Sequence, residues 1–296
     1  MVPAALAEAV PTETQYVAVD GPSPNSDLAF GSVCILNGCR TVDGYVPLAG
    51  SERRLDSAMA AFAFERNTGT LVYAYNPDTK LPLGGLAKLV TVLLTLEYCD
   101  LDEVLTVTNN KRFPAGQVHV NLKNEEQLTV RDLLHCVILG NASDACIVLS
   151  DRVAGNAENM VTMMNNRVRQ MGCNSTNFSN VYGGDSGSAY TTARDMARIT
   201  MECMRNEEFQ EILTADTYQV PATNRSDARK LESSNYFSYS QNITKFYDSH
   251  VTGGFQSAST GTGASLVWTA NYRNMDMVFV VLGCTRPVSY THLRAH

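Results

Sequence analysis

The sequence has no long hydrophobic run and few charges. No apolar stretch approaches the ~20 residues that a membrane-spanning helix needs, so we expect no transmembrane segment. Charged residues make up 18% of the chain, and acids outnumber bases to give a net charge of -7. Such a balance excludes the basic face that binds nucleic acid. The 44% hydrophobic content is typical of a globular protein with a sizeable core.

Cysteine is too sparse for a disulfide-stapled scaffold, at 8 residues in 296. Cys34 and Cys39 are the only closely spaced pair, and no second pair or nearby histidine completes a zinc site. We therefore expect no metal and no cofactor. Cys34 and Cys39 can form a local disulfide if the protein is exported, and the other cysteines are expected as buried free thiols.

Three segments differ in composition. Residues 1–55 are rich in Pro, Gly, Ser and Thr and are predicted to form a linker-like extension. Its Ala5-Leu6-Ala7 pattern is typical of the end of a signal peptide, although an Ala-rich flexible terminus is an equal alternative. Residues 287–296 resemble translated adapter sequence and are treated as a non-native tail. This division leaves residues 56–286 as one folded domain.

Hydrophobic periodicity predicts strands at both ends of that domain. Strand-like runs cover residues 58–65 and 70–75, a helix follows over 84–98, and further helices extend to about residue 205. Residues 227–248 are polar and predicted irregular, and two more strands are expected within 264–282. The order predicts an α/β (α+β) domain in which an antiparallel sheet is flanked by helices, with an inserted helical lobe.

Several short strings occur in an order that resembles one enzyme family. They include Asn67–Tyr73, Lys88–Thr91, Leu128–Leu134 and Thr192–Ala197. The chain resembles the serine D-alanyl-D-alanine carboxypeptidases, which are low-molecular-mass penicillin-binding proteins of the peptidase S11 family. The resemblance implies a three-layer β-lactamase/transpeptidase-like fold, a role in peptidoglycan metabolism, and a location outside the cell or in the bacterial cell envelope.

The resemblance also implies a chemistry of acyl transfer. In that family the serine of an S-x-x-K motif attacks the peptide carbonyl between two D-Ala residues, and the lysine accepts its proton. An S-x-N motif assists proton transfer and holds the substrate amide. A K-T-G strand binds the terminal carboxylate, and backbone N–H groups form the oxyanion hole.

The first motif aligns with Gly85-Leu86-Ala87-Lys88, and no S-x-x-K occurs anywhere in the chain. Gly85 therefore stands at the nucleophile position without a side chain to acylate, whereas Lys88 is retained. Lys88 can be a relic base or a ligand-binding cation, but a structural charge with partners inside the old cleft is the favoured interpretation.

The other two motifs are altered as well. The second aligns with Asn141-Ala142-Ser143, in which Asn and Ser are interchanged, and the third with Gln256-Ser257-Ala258. A neutral amide at Gln256 replaces the cation expected to bind the substrate carboxylate. Asn141 and Gln256 can still hydrogen-bond a peptide, or simply line a polar cleft.

Three functional hypotheses follow. The first is a catalytically inactive homologue of the carboxypeptidases that binds peptidoglycan stem peptides or a cell-envelope protein. The second is an active serine hydrolase that uses another nucleophile, for which Ser143 and Ser257 are the candidates near the site. The third is a structural or interaction module of the envelope in which the cleft has closed.

Overall fold

The computed structural model describes residues 58–67, 69, 71–108, 116–184, 188–233, 248–259, 263–272 and 275–284. An antiparallel five-stranded sheet has the order β2-β1-β9-β8-β7, and two small hairpins pair β3 with β4 and β5 with β6. The strands are β1 (Ala60–Glu65), β2 (Leu71–Tyr75), β3 (Val104–Thr106), β4 (Gln127–Thr129), β5 (Thr217–Val220), β6 (Arg229–Glu232), β7 (Val251–Ser259), β8 (Gly263–Tyr272) and β9 (Met275–Cys284).

A 3₁₀ turn, Gly84–Leu86, leads directly into the first helix. The helices are α1 (Ala87–Tyr98), α2 (Val130–Ile138), α3 (Ser143–Ala154), α4 (Ala157–Gln170), α5 (Ala193–Cys203) and α6 (Glu207–Thr214). Capping side chains fix several helix starts because they accept hydrogen bonds from backbone N–H groups that have no partner within the helix. Thr129 and Asp132 form a reciprocal capping box on α2, and Thr192 caps α5.

Helix α1 is the centre of the molecule. Every residue from Ala87 to Thr95 is buried, and the helix contacts α2, α3, α4, α5 and α6. The main core joins these helices to one face of the sheet, through side chains such as Phe64 and Phe255. A second apolar cluster, including Trp268 and Val281, lies on the opposite face of the sheet.

The predicted antiparallel sheet with strands from both ends of the chain is confirmed. β1 pairs with β9 from Ala60–Leu282 to Glu65–Met277, so the start and end of the domain lie side by side. Among the described residues, no helix is long and apolar enough to cross a membrane. The extension, the tail and the Cys34–Cys39 pair lie outside the described residues.

One of the sequence-based predictions is corrected. The polar segment predicted as irregular contains β6, whereas β7 covers a Gly- and Ser-rich stretch in which only the resemblance to a K-T-G strand implied a strand. In β6 only Leu231 is buried, and in β7 the largest side chain is Phe255. Both strands form because backbone hydrogen bonds to a neighbouring strand compensate for weak intrinsic preference.

Candidate functional site

The candidate site is centred on the turn that begins α1. Gly85 is buried in this 3₁₀ turn, and Lys88 follows one helical turn later on the same side. A β-carbon at position 85 would lie 3.5 Å from Lys88 Nζ. The backbone therefore retains the serine–lysine spacing that the resemblance implies, whereas the hydroxyl-bearing side chain is absent.

Lys88 is only 2% exposed. Burial lowers the pKa of its ammonium group because the charged form loses its hydration, and electrostatic interactions with Cys146 and Asp144 partly oppose that shift. A lysine with a lowered pKa can accept a proton more readily near neutral pH. Lys88 therefore occupies the position at which the family carries its base, in a buried environment that disfavours the charged form.

Cys146 on α3 lies close enough to Lys88 to interact with it electrostatically. Burial raises the pKa of its thiol to about 12, and the thiol donates to the Ala142 carbonyl at 3.3 Å. A neutral buried thiol is a poor nucleophile. Of the six described cysteines, five are buried free thiols, as predicted, whereas Cys99 is only half-buried.

Ser257 on strand β7 closes the other side of the turn. The Gly85 N–H donates a hydrogen bond to Ser257 Oγ at 3.0 Å, across 172 residues of sequence. A β-carbon at position 85 would lie 2.3 Å from that Oγ and 2.8 Å from the Ser257 β-carbon. The hydroxyl of Ser257 therefore fills space beside Lys88 that a side chain at position 85 would need.

Alternation along β7 separates the residues of the third motif. Ser257 and Phe255 face the helices, as shown by the contact with Gly85 and by the place of Phe255 in the main core. Gln256 pairs with Leu266, and Leu266 belongs to the cluster on the opposite face of the sheet. Cross-strand partners share a face, so Gln256 lies on the face away from Lys88. Ala258 shares that face and is exposed.

Asn141 and Ser143 lie at the junction of α2 and α3. Asn141 adopts a left-handed backbone with φ 50°, which Asn tolerates better than most residues, and its Oδ1 is buried without a partner. Ser143 is fully buried and its Oγ lies 3.4 Å from Gln117 Oε1. The junction is thus a packed corner, and Ser143 is directed to Gln117.

Asp144 joins this corner to the segment before it. Its carboxylate accepts hydrogen bonds from the Val120 and Leu122 N–H groups, at 3.2 and 3.0 Å. Asp144 also contributes to the field at Lys88, where its charge favours the ammonium form. One buried carboxylate therefore positions the 120–122 segment and partly compensates the buried lysine.

The loop from Asn180 to Gly184 packs against the 3₁₀ turn that carries Gly85. Asn180 Oδ1 accepts hydrogen bonds from the Gly183 and Gly184 N–H groups, at 2.6 and 3.0 Å. Gly183 has φ +78°, and a β-carbon there would lie 1.9 Å from the Gly84 carbonyl oxygen. The close approach of loop and turn requires glycine at position 183.

The structure brings together Gly85, Lys88 and Ser257, with α3 beside Lys88, and it does not bring Gln256 to them. The role of Gly183 and the inward orientation of Phe255 are not apparent from the sequence. Alternation along a strand would indicate the orientation of Phe255 only once β7 is recognised as a strand.

Residues 50–286 match the family model described as D-alanyl-D-alanine carboxypeptidase. The chain is 25% identical over 238 residues to the carboxypeptidase DacF of Bacillus subtilis, and this match covers 78% of the chain and 58% of that protein. It is 28% identical over 243 residues to DacC of Escherichia coli, which covers 76% of the chain and 56% of that protein. The chain therefore spans little more than half the length of these curated relatives.

Solved structures share the fold. A carboxypeptidase from Mycobacterium tuberculosis superposes with a TM-score of 0.69 at 18% identity, covering 78% of this chain and 84% of that one. Penicillin-binding protein 5 of Haemophilus influenzae gives a TM-score of 0.67 at 26% identity, covering 79% and 67%. The predicted transpeptidase-like fold, an antiparallel sheet flanked by helices, is confirmed.

Proposed function

Because this chain belongs to the D-alanyl-D-alanine carboxypeptidase family, we propose that it is a catalytically inactive member that functions in the bacterial cell envelope by binding. The ligands we propose are peptidoglycan stem peptides or an envelope protein. The relatives are carboxypeptidases by name, and their substrate class is the source of the first ligand. The loss of hydrolysis is our inference from the residues of this chain.

One observation carries the proposal. Where the family chemistry needs a serine beside the lysine, Gly85 offers no atom to acylate, and the space is filled by the Ser257 hydroxyl. Covalent catalysis divides a difficult step into two easier ones, and it requires a nucleophilic side chain placed to attack the peptide carbonyl. Lys88 alone supplies a base without a group to deprotonate.

The hydrogen-bond donors that remain at the site do not compensate for the missing nucleophile. Backbone N–H groups directed at a developing oxyanion can support only weak residual hydrolysis without the nucleophile. The Gly85 N–H is moreover hydrogen-bonded to Ser257. Ser143 is disfavoured as a replacement because it is fully buried and directed to Gln117.

Intact mass after incubation with benzylpenicillin tests the loss of catalysis. Benzylpenicillin resembles the D-Ala-D-Ala end and acylates the family serine, so we expect the mass of this chain to stay unchanged. The Escherichia coli relative treated in parallel provides the positive control. A single adduct that digestion maps to Ser143 or Ser257 would contradict the proposal and identify the nucleophile.

Binding is measured separately. Calorimetric titration with a peptide that ends in D-Ala-D-Ala should give saturable binding without release of D-alanine. Release of D-alanine at a rate above that of peptide alone would show hydrolysis. Absence of binding would favour the envelope protein, or the closed interaction module, over the stem peptide.

A further inference from the structure

Gly85 and Ser257 are complementary in side-chain size and contact each other directly. We propose that they form a coupled pair in which, at the spacing between the turn and β7 in this chain, a side chain at position 85 and the side chain of Ser257 exclude each other. The aligned positions of the family carry the serine of S-x-x-K and the threonine of K-T-G together, so the exclusion is a property of this chain's backbone and not of the two residue types. The inference rests on the proposed function and deepens it, since it identifies the residue that prevents acylation at position 85.

Sterics provide the first argument. A β-carbon at position 85 would meet both Oγ and the β-carbon of Ser257, at 2.3 and 2.8 Å. Rotation about χ1 of Ser257 moves Oγ away but leaves its β-carbon in place. Contacts shorter than 3.0 Å force the backbone to shift, because protein interiors are close-packed. Position 85 can therefore accept a side chain only when position 257 has none.

Hydrogen bonding provides the second argument. The Gly85 N–H, at the position where the resemblance implies an oxyanion donor, is already satisfied by Ser257 Oγ at 3.0 Å. A substrate carbonyl oxygen that is to accept a hydrogen bond from the Gly85 N–H must displace the Ser257 hydroxyl. The displaced hydroxyl then needs another hydrogen-bond partner. Ser257 thus occupies both the volume of the missing side chain and the donor that acyl transfer would use.

The third argument is the distance between the Ser257 hydroxyl and Lys88. A β-carbon at position 85 would lie 3.5 Å from Lys88 Nζ and 2.3 Å from Ser257 Oγ, which keeps Oγ within about 6 Å of Nζ. The hydroxyl of this chain is therefore near its family location, but it extends from the strand instead of from the helix. An acyl group on Ser257 would have to form while Ser257 itself holds the Gly85 N–H.

Three variants test the coupling: Gly85→Ser, Ser257→Gly and the double substitution. Gly85→Ser alone should lower the thermal unfolding midpoint by about 5 °C or more, as expected for overpacking. The double variant should recover most of that loss relative to Ser257→Gly. Equal loss caused by Gly85→Ser in both backgrounds would overturn the coupling.

A matched control separates the contact from general effects of glycine in β7. Ala258 is the next residue of the same strand, and it is exposed on the opposite face of the sheet. Combining Ala258→Gly with Gly85→Ser should leave the full loss of thermal midpoint. Recovery by Ala258→Gly equal to that by Ser257→Gly would contradict a direct contact.

Acylation gives a second readout. The fraction of protein labelled by benzylpenicillin in a fixed time should be at least tenfold higher in the double variant than in Gly85→Ser, with the adduct at position 85. Equal labelling of the two variants, including none in either, would overturn the role of Ser257. Labelling of the unmodified chain would instead contradict the proposed function, and the thermal midpoints would still decide the coupling.

Discussion

At the residue scale, Lys88 is a buried amine one helical turn after a glycine. Burial lowers its pKa below the ordinary 10.5. Between the lowered pKa and 10.5 the unfolded chain binds more protons than the folded one, so the contribution of Lys88 to stability rises with pH across that interval. Below it, the lysine is charged in both states and folding bears the full desolvation cost.

Replacing Lys88 by methionine removes this cost while keeping most of the volume. We expect Lys88→Met to raise the thermal midpoint at pH 7 by roughly 2–4 °C, since the desolvation of the buried ammonium group, the main cause of its lowered pKa, no longer opposes folding. Asp144 keeps its backbone hydrogen bonds in the variant. The advantage should shrink as the pH approaches 10.5.

Melting curves of both proteins at about pH 7 and about pH 10 measure the effect. Lys80→Met is the control for the loss of one positive charge, because Lys80 is exposed and its replacement removes no buried ammonium group, so the thermal midpoint at pH 7 should not rise. An advantage of Lys88→Met that stays constant, or grows, with pH would mean that desolvation of the lysine is not its cause.

The residues of the site differ in how far sequence reveals them. The proximity of Gly85 and Lys88 can be predicted from the sequence, because residues three apart on a helix lie on the same side. The contact between Gly85 and Ser257 depends on the register of β7 on β8, which is set by pairing over the whole strand. The same register places Gln256 on the far face, which aligned letters alone do not reveal.

At the element scale, the loop from Asn180 to Gly184 fixes the start of α1. Thr91 Oγ1 on α1 donates to the Val181 carbonyl at 2.7 Å, and Gly183 lies directly against Gly84. The turn that carries Gly85 is therefore held between this loop and β7. A disturbance of the loop should be transmitted to the site.

Gly183→Ala tests this packing against Gly155→Ala. Both glycines have positive φ, +78° and +80°, but of these two only Gly183 would bring a β-carbon within 4 Å of other atoms. Gly155→Ala should cost about 1 kcal/mol of unfolding free energy for the left-handed backbone alone. Gly183→Ala should cost more than about 3 kcal/mol because overpacking adds to it.

Urea unfolding of the two variants gives both free energies. Similar losses would show that the loop yields without strain, and the turn would then not depend on it.

Elements with strong periodicity are the predictable ones. The helix expected over 84–98 exists as the 3₁₀ turn plus α1, and the strand runs at both ends correspond to β1, β2, β8 and β9. Helix α6 and strands β4, β5 and β6 are not predicted from the sequence, and β7 is implied only by its alignment with the K-T-G strand. They are short or polar, and their formation depends on tertiary partners such as the stacking of His135 on Tyr218 at 3.6 Å between ring centroids.

At the scale of the whole molecule, sheet and helices share one core. Strands from both ends of the chain pair as β1 and β9, and α1 packs amid the helices between them in sequence. Neither the sheet nor the helical block buries its apolar face alone. We therefore expect the described domain to unfold as one cooperative unit despite its size.

The chain's single tryptophan makes this measurable. Trp268 is buried in the cluster on the outer face of the sheet and stacks on Phe279 at 5.2 Å between ring centroids, so its fluorescence reports on β8 and β9. Far-UV circular dichroism reports mainly on the helices.

Urea transitions followed by the two signals should coincide in midpoint and slope, because loss of the sheet exposes the core face of α5 and α6. Trp268→Phe controls for perturbation by the probe residue and should leave a single dichroism transition. Two separated midpoints would mean that the helical block is stable without the sheet, and the site between α1 and β7 could then open without global unfolding.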